Sequence, residues 1–377
     1  MKKEPEISII LPCRNEEEAV GFCLKQIKEV IKTNNLNAEI IVSDSSTDNS
    51  PKIAKEHNVK LVKHDKEGYG NAYLEAFPRA RGKYIFMADC DGTYNFSEIP
   101  NFINRLKEGY DLIIGNRFNG KMENRAMPFS HKYIGNPILS FVLRLFFFTK
   151  IRDSQSGMRA ITRDALYKLN LRTTGMEFAS EMIIKALRNS LRIKELPIDY
   201  YSRKGKSKLR GFSDAWKHLR FMLLYSPLFL FFIPGIIVFI LGVLSMLWLY
   251  FGNFYLFGIR FYTHPMFVSA LLIIIGYQLI FFSIFAKTYS ITHLGEEGKL
   301  INKLYKYLTI EKASIFGTII IFLGALIYVY ILVEWIKKGF GDLNEIKNSI
   351  VALTFITLGV QTIFYSFMLS ILGIREK

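Results

Sequence analysis

Tyr84-Ile85-Phe86-Met87-Ala88-Asp89-Cys90-Asp91-Gly92 is the stretch on which the reading of this chain turns. An apolar run bounded by Gly82-Lys83 and Gly92 ends in two carboxylates separated by one residue, which predicts a buried strand with an acidic carboxyl end. Side chains alternate along a strand, so Asp89 and Asp91 share a direction. In open α/β sheets, ligands lie beyond that end of the strands. Two hard oxygen donors there suit Mg²⁺ or Mn²⁺, which takes one or two carboxylates and completes its shell with substrate phosphates. The plainer alternative is a solvated strand-to-loop turn, since Asp-x-Asp is a short string.

Working outward, the apolar run 7–11 reads as a first strand, ending at Pro12. Cys13-Arg14-Asn15-Glu16-Glu17-Glu18 then enters a helix, with acids in its first turn to suit the macrodipole. Val20, Cys23, Leu24, Ile27, Val30 and Ile31 continue it at helical spacing. A strand over 39–43 ends at Asp44, before a loop of short polar residues, Ser45-Ser46-Thr47-Asp48-Asn49-Ser50. Further strands are predicted over 59–63, 111–117 and 193–201, with helices between. Alternation of this kind implies parallel crossovers and a doubly wound sheet.

Two glycine-bearing motifs fail on inspection. Gly68-Tyr69-Gly70 continues to Tyr73 where a dinucleotide fingerprint needs glycine. Gly205-Lys206-Ser207 lacks a glycine at Tyr200, so it is no P-loop.

The net charge of +16 and the strongly apolar second half turn the expected partners toward membrane lipids and phosphates rather than nucleic acid. Cys13, Cys23 and Cys90 form no CxxC pair and fit reduced thiols in a cytosol-facing domain. The six histidines have no zinc spacing. The run 7–11 is too short for a signal-peptide core. Residues 138–148 are apolar nearly all round yet too short to span a bilayer, which leaves a core helix or an interfacial one. Residues 212–225 interleave Lys217 and Arg220 with Trp216, Leu219, Phe221, Met222 and Leu223, as a helix on a membrane surface does; an ordinary connecting helix is the alternative.

Four apolar segments follow, 228–251, 265–289, 313–335 and 349–373, each reaching the ~20 residues a span needs. Trp248, Tyr250, Tyr289, Tyr328 and Trp335 sit near their ends as interfacial aromatics. Lys299, Lys303, Lys306 and Lys312 make the central loop more basic than the first outer loop, with Arg260, or the second, with Lys337, Lys338 and Lys347. The positive-inside rule then places the N-terminal domain, the central loop and the C-terminus in the cytoplasm of a cell-membrane protein. The expected domains are 1–211 (catalytic), 212–227 (interfacial helix) and 228–377 (four transmembrane helices).

The carboxyl edge of the sheet should gather residues 12–16, Asp44 with Asp48, Asp65, Asp89 with Asp91, and Arg117. An acid such as Asp44 beyond a strand accepts hydrogen bonds from a nucleoside's base or ribose. Asp89 and Asp91 with a divalent cation would hold a diphosphate and stabilise it as leaving group. Arg117, Lys132, Arg203, Lys206 and Lys208 supply cations for a further phosphate.

Ser8 to Glu17, Asp44-Ser45-Ser46-Thr47-Asp48 and Asp89-Cys90-Asp91 together resemble the signature of family-2 glycosyltransferases with the GT-A fold. Ser156-Gly157-Met158-Arg159, Glu181 and Arg203 to Lys208 extend the likeness to the dolichyl-phosphate mannose synthase branch, over roughly residues 5–225. The four trailing segments resemble versions of those enzymes with attached membrane helices. The resemblance implies a GT-A domain that moves a hexose, with inversion, from a nucleotide sugar (GDP-mannose or UDP-glucose) to a polyprenyl or dolichyl phosphate. It implies a nucleotide-sugar site of Pro12, Asn15, Glu16, Asp44, Asp65, Asp89, Cys90 and Asp91, with Cys90 as a small spacer. Asp89, Asp91, Arg117 and Arg203 would be catalytic. Arg117, His131, Lys132, Arg203 and Lys208 would take the acceptor phosphate. The mannose synthases carry a second basic residue about where His131 and Lys132 stand and a serine about where Gly135 stands, departures that bear on the sugar, on the lipid or only on the position of the loop. A processive polysaccharide synthase of the same superfamily would carry Gln-x-x-Arg-Trp, and no tryptophan here follows an arginine. A nucleotide-regulated membrane carrier is the remaining alternative.

Overall fold

The computed structural model describes residues 4–205, 211–252, 254–256, 259–261, 263–293 and 310–373. Lys206, Lys208 and the central-loop lysines 299, 303 and 306 lie outside the described residues, as does the side chain of Arg260. The chain divides into two compact units, Met1–Tyr225 and Ser226–Lys377.

In the first unit, β1 (Ile7–Cys13), β2 (Ala38–Asp44), β3 (Lys60–Lys63), β4 (Tyr84–Met87), β5 (Leu112–Asn116), β6 (Arg159–Thr162) and β7 (Ile193–Pro197) form one sheet. Its order is β3-β2-β1-β4-β6-β5-β7. The helices are α1 (Val20–Thr33), α2 (Ser50–Glu56), α3 (Tyr69–Ala76), α4 (Ile99–Lys107), α5 (Asn136–Phe147), α6 (Arg163–Leu169), α7 (Phe178–Arg188) and α8 (Gly211–Leu224). Strand alternation sorts the core into two layers. Ile7, Ile9 and Leu11 of β1 pack with Val20, Cys23, Leu24 and Ile27 of α1 and with Phe102 and Leu106 of α4. Ile10 joins Met87, Ile114 and Ile161 in the other layer, under Phe178, Met182 and Ile183 of α7.

The sheet is mixed, where the alternation of strands and helices predicted only parallel crossovers. β6 runs antiparallel between β4 and β5. Four residues led by an arginine carry almost no strand signal, and β6 owes its burial to the neighbours on either side. Its direction has a functional consequence. Arg159 stands opposite both Met87 and Ile114, so the loop feeding β6 enters at the carboxyl edge of β4 and β5. α8 buries Met222 beside Ala215 and Leu219 in the second core layer and leaves Trp216 and Leu224 exposed.

The second unit contains α9 (Ile233–Phe251), a hairpin of β8 (Phe254–Leu256) and β9 (Ile259–Phe261), α10 (His264–His293), α11 (Ile310–Lys337) and α12 (Ile346–Gly373). Four stretches are long and apolar enough to cross a membrane: Leu228–Phe251, His264–Thr292, Glu311–Lys337 and Ile346–Gly373. α10 packs against α9 and α12, and α12 against α11. Lipid offers no hydrophobic drive between helices, so close packing of small residues and interhelical hydrogen bonds hold them. A Cβ on Gly276 of α10 would lie 2.4 Å from the Phe239 backbone nitrogen of α9. Tyr277 of α10 and Thr362 of α12 share a hydrogen bond of 2.6 Å.

Candidate active site

Parallel pairing of β1 with β2 sets Cys13 beside Asp44 at the carboxyl edge. The two loops that follow are tied together. Asn15 takes a left-handed conformation, φ 52°, and its Oδ1 accepts the Thr47 backbone N–H at 2.8 Å. The Asn15 N–H donates to Ser46 Oγ at 2.8 Å, and that of Glu16 to Ser50 Oγ at 2.9 Å. Asp44 is wholly buried; Oδ1 accepts from the Ser46 N–H at 3.3 Å, while Oδ2 is buried without a hydrogen-bond partner among the described residues. A buried oxygen in that state is costly, and the cost is relieved by a ligand that donates to it. Pro12 accepts a hydrogen bond from the Cys90 thiol at 2.9 Å. The bond with Cys13 and burial push the Cys90 thiol well above its ordinary range, so it fills space rather than reacts. Asp65 is exposed, two residues past β3.

Asp89 and Asp91 follow β4. Burial first, and the neighbouring charge of Asp91 second, push the Asp89 carboxyl up to about 7, against the pull of Arg117, Arg203 and a hydrogen bond from Tyr69. Asp91 is nearly buried; its Oδ1 accepts from the Thr93 N–H at 3.1 Å and the Thr93 hydroxyl at 2.6 Å. Its Oδ2 pairs with Arg203 at 3.3 Å, and the same guanidinium bonds Glu16. Burial works against the charge of Arg203, but Asp91 and Glu16 more than offset it and hold the guanidinium above its usual range. Two carboxylates whose mutual repulsion is only partly met by arginine could hold a hard cation. Among the described residues no group of three or more His, Cys, Asp or Glu side chains is arranged to hold a metal ion by itself. The pair therefore fits an ion that draws its remaining oxygens from substrate phosphates, not one held in a closed protein cage.

The loop ahead of β6 closes the other side. A Cβ on Gly157 would lie 2.4 Å from Asp89 Oδ2, so only glycine fits against that carboxylate without displacing it. The Gly157 N–H donates to the Tyr94 hydroxyl at 2.8 Å. Arg117, just past β5, gives Nε and Nη2 to the two oxygens of Asp153, each at 2.8 Å, and its backbone N–H to Oδ2 at 3.0 Å. Burial opposes the Arg117 charge; Asp153 reverses that and holds it well above its ordinary range. The guanidinium also lies over the Tyr200 ring, 5.3 Å from its centroid. Arg159 is buried and donates to three backbone carbonyls, those of Ser154, Ser156 and Ala179, which fastens the loop from within.

Glu181 accepts the N–H groups of Arg172 and Thr173, the Thr173 hydroxyl at 2.6 Å, and an ion pair from Lys185 at 2.7 Å. It holds the 172–175 turn, on whose carbonyls the start of α3 docks through the N–H groups of Gly70 and Asn71. A Cβ at Gly70 would fall 2.1 Å from the Thr173 oxygen, so this glycine serves backbone packing, not phosphate binding. α3 in turn aims Tyr69 at Asp89. His131 and Lys132 lie on a half-buried turn before α5, with the Lys132 ammonium 5.4 Å from the Tyr133 ring centroid. The structure thus gathers Asp89, Asp91, Arg203 and Glu16 into one charged cluster, with Arg117 close enough to act on Asp89. Sequence reasoning missed Tyr69, Tyr94, Asp153 and Gly157 as members. Only the motif Ser156 to Arg159 carried a signal, and for Gly157 alone.

Comparison with known proteins decides the family. The profile described as Glycosyl transferase family 2 matches residues 8–169. The low-salt glycan biosynthesis hexosyltransferase Agl6 of Haloferax volcanii is 35% identical over 370 residues, 98% of this chain and 89% of that protein. The chain belongs to glycosyltransferase family 2. This glycosyltransferase is also similar to the dolichyl-phosphate hexose transferase of H. volcanii, 28% identical over 56% of this chain and 89% of that protein. The UDP-N-acetylglucosamine–dolichyl-phosphate N-acetylglucosaminyltransferase of Methanococcus voltae is 31% identical over 56% of this chain and 94% of that protein. A second profile, the family-2 C-terminal transmembrane region, matches residues 284–373, so the four apolar helices belong to a membrane protein.

Proposed function

We propose that this glycosyltransferase moves a hexose, mannose or glucose, from a nucleotide sugar to a dolichyl-type polyprenyl phosphate at the cytoplasmic face of the membrane, with inversion and with a divalent cation. The reading is carried by the acid pair Asp89 and Asp91 at the end of the central strand β4, in a chain similar along 98% of its length to a hexosyltransferase. The names of two further relatives, a dolichyl-phosphate hexose transferase and an N-acetylglucosaminyltransferase of dolichyl phosphate, support the acceptor.

The spare oxygen of Asp44 accepts an N–H or O–H of the nucleoside, beside the loop that Asn15 and Glu16 build with residues 45–50. Asp65 and Pro12 are assigned to the same half of the site. Asp89 and Asp91 would hold Mg²⁺ or Mn²⁺, which when bound would supply charge stabilisation to a departing nucleoside diphosphate. Arg203 exchanges a carboxylate for phosphate oxygens, trading one charge-assisted pair for another. Arg117 keeps its orientation through Asp153 and presents its remaining Nη1 edge to the acceptor phosphate; His131 and Lys132 add to that half of the site. The acceptor oxygen forms its bond to the anomeric carbon as the bond to the diphosphate breaks on the opposite face. No proton has to leave the attacking oxygen, so the protein's part is alignment and charge.

The test is glycolipid formation by the purified full chain in detergent. GDP-mannose, UDP-glucose and UDP-N-acetylglucosamine are each offered with a polyprenyl phosphate, in Mg²⁺, Mn²⁺ or EDTA, with Asp91→Ala as control. A metal-dependent lipid product from one hexose donor, absent in the control, is expected. Donor hydrolysis without lipid product would remove the acceptor assignment, and equal activity in EDTA would remove the metal.

A further inference from the structure

A second basic site lies outside the residues given to the transfer reaction. A cleft of about 570 Å³ is lined by Phe118, Pro137, Arg144, Thr149, Lys150 and Arg152. None of Asp89, Asp91, Arg117 or Arg203 lines it, and neither does any carboxylate. Two acids bonded to this part of the chain are engaged elsewhere. Asp153 is paired with Arg117, and Glu195 accepts the backbone N–H groups of Arg152 and Asp153 at 2.9 Å and 2.8 Å. Arg144 donates to the Ile151 carbonyl at 3.3 Å, and neither Lys150 nor Arg152 has a side-chain ion pair among the described residues. Three cations turned on one cleft repel one another unless an anion lies between them. Two guanidinium groups and an ammonium are a donor set for phosphate oxygens.

The apolar surroundings narrow the source of that phosphate. Pro137 and Arg144 stand seven residues apart on α5, two turns along one face. On the adjoining face Ile138, Phe141, Leu145 and Phe148 are all exposed, the last by 80%. An apolar stripe beside a cationic cleft matches the two ends of a lipid, acyl chains along the stripe and headgroup in the cleft. We propose that this cleft binds the phosphate of an anionic membrane phospholipid, with Arg144, Lys150 and Arg152 as its cations. The site serves to seat the first unit on charged membrane and stands independently of the donor and acceptor proposed above.

The experiment is lipid binding by the full chain, delipidated in non-ionic detergent. Short-chain phosphatidylglycerol or phosphatidylcholine is titrated in, and bound lipid is counted by native mass spectrometry. Wild type is expected to prefer phosphatidylglycerol, and Lys150→Gln with Arg152→Gln to weaken that binding about tenfold, the loss of two charge-assisted contacts. Lys52→Gln with Lys55→Gln, exposed on α2, removes the same charge and is expected to leave binding unchanged. Equal loss in both variants would reduce the effect to net charge and overturn the site. An unchanged Lys150/Arg152 variant would overturn it directly. Inorganic phosphate displacing the lipid at comparable concentration would show a site for the free anion and overturn the lipid assignment. Native unfolding temperatures of both variants establish that each is folded.

Discussion

Arg117 and Asp153 illustrate how much of this site rests on charges that protein, not water, must satisfy. Asp153 is wholly buried and the Arg117 side chain is 7% exposed, so removing one partner strands the other. Asp153→Ala is expected to lower stability by about 3–5 kcal/mol in a chemical-denaturation measurement, well beyond a typical surface change. Asp89 makes a second prediction. Its folded-state value, about 7, lies above the ordinary 3.8, so the folded protein holds a proton there that the unfolded chain gives up. The stabilising contribution is complete below the ordinary carboxylate range and is lost as pH rises through about 7. In EDTA, wild type is expected to lose thermal stability relative to Asp89→Asn between about pH 5 and about pH 8, and added Mn²⁺ to restore it mainly at the higher pH. A pH-independent difference between the two proteins would contradict this. The acids of the cluster were legible from the chain because carboxylates at strand ends have a recognisable spacing. Tyr69 and Tyr94 were not, since a buried tyrosine looks the same in sequence whether it packs or orients a carboxylate.

At the scale of elements, the antiparallel β6 decides the shape of the site. It brings residues 153–158 to the edge where β4 and β5 end, and so places Gly157 against Asp89 and Asp153 against Arg117. Gly157→Ala tests this. The added methyl must push the Asp89 carboxylate aside, so glycosyl transfer is expected to fall by about tenfold or more while the unfolding temperature moves little. Unchanged transfer would contradict the assigned contact. A parallel sheet was the natural reading of strands alternating with helices. β6 escaped it because four residues supply too little periodicity, and what makes them a strand is the pair of unfilled edges on β4 and β5.

At the scale of the molecule, an α/β unit of 225 residues precedes a unit built on four membrane-length helices. The asymmetry of lysines predicts that the loop near Gly341 faces outside and the C-terminus faces the cytoplasm. The native cysteines are all buried, so single introduced cysteines are readable against them. A cysteine at Gly341 is expected to react with a membrane-impermeant maleimide in intact cells, and one at Lys377 only after permeabilisation. The reverse pattern would invert the topology and carry the first unit to the outer face.

The chain alone determined the strand ending in Asp89 and Asp91, the acidic loop at Asp44 and the four spans, because each is a local pattern: alternation, turn chemistry, or unbroken apolar length. Only the tertiary structure decided that Arg203 grips Glu16 across 187 residues of chain and Asp91 with the same guanidinium, that Arg117 is buried against Asp153, and that β6 turns back through the sheet. Such pairings depend on which segments meet in space, and no local spacing encodes them.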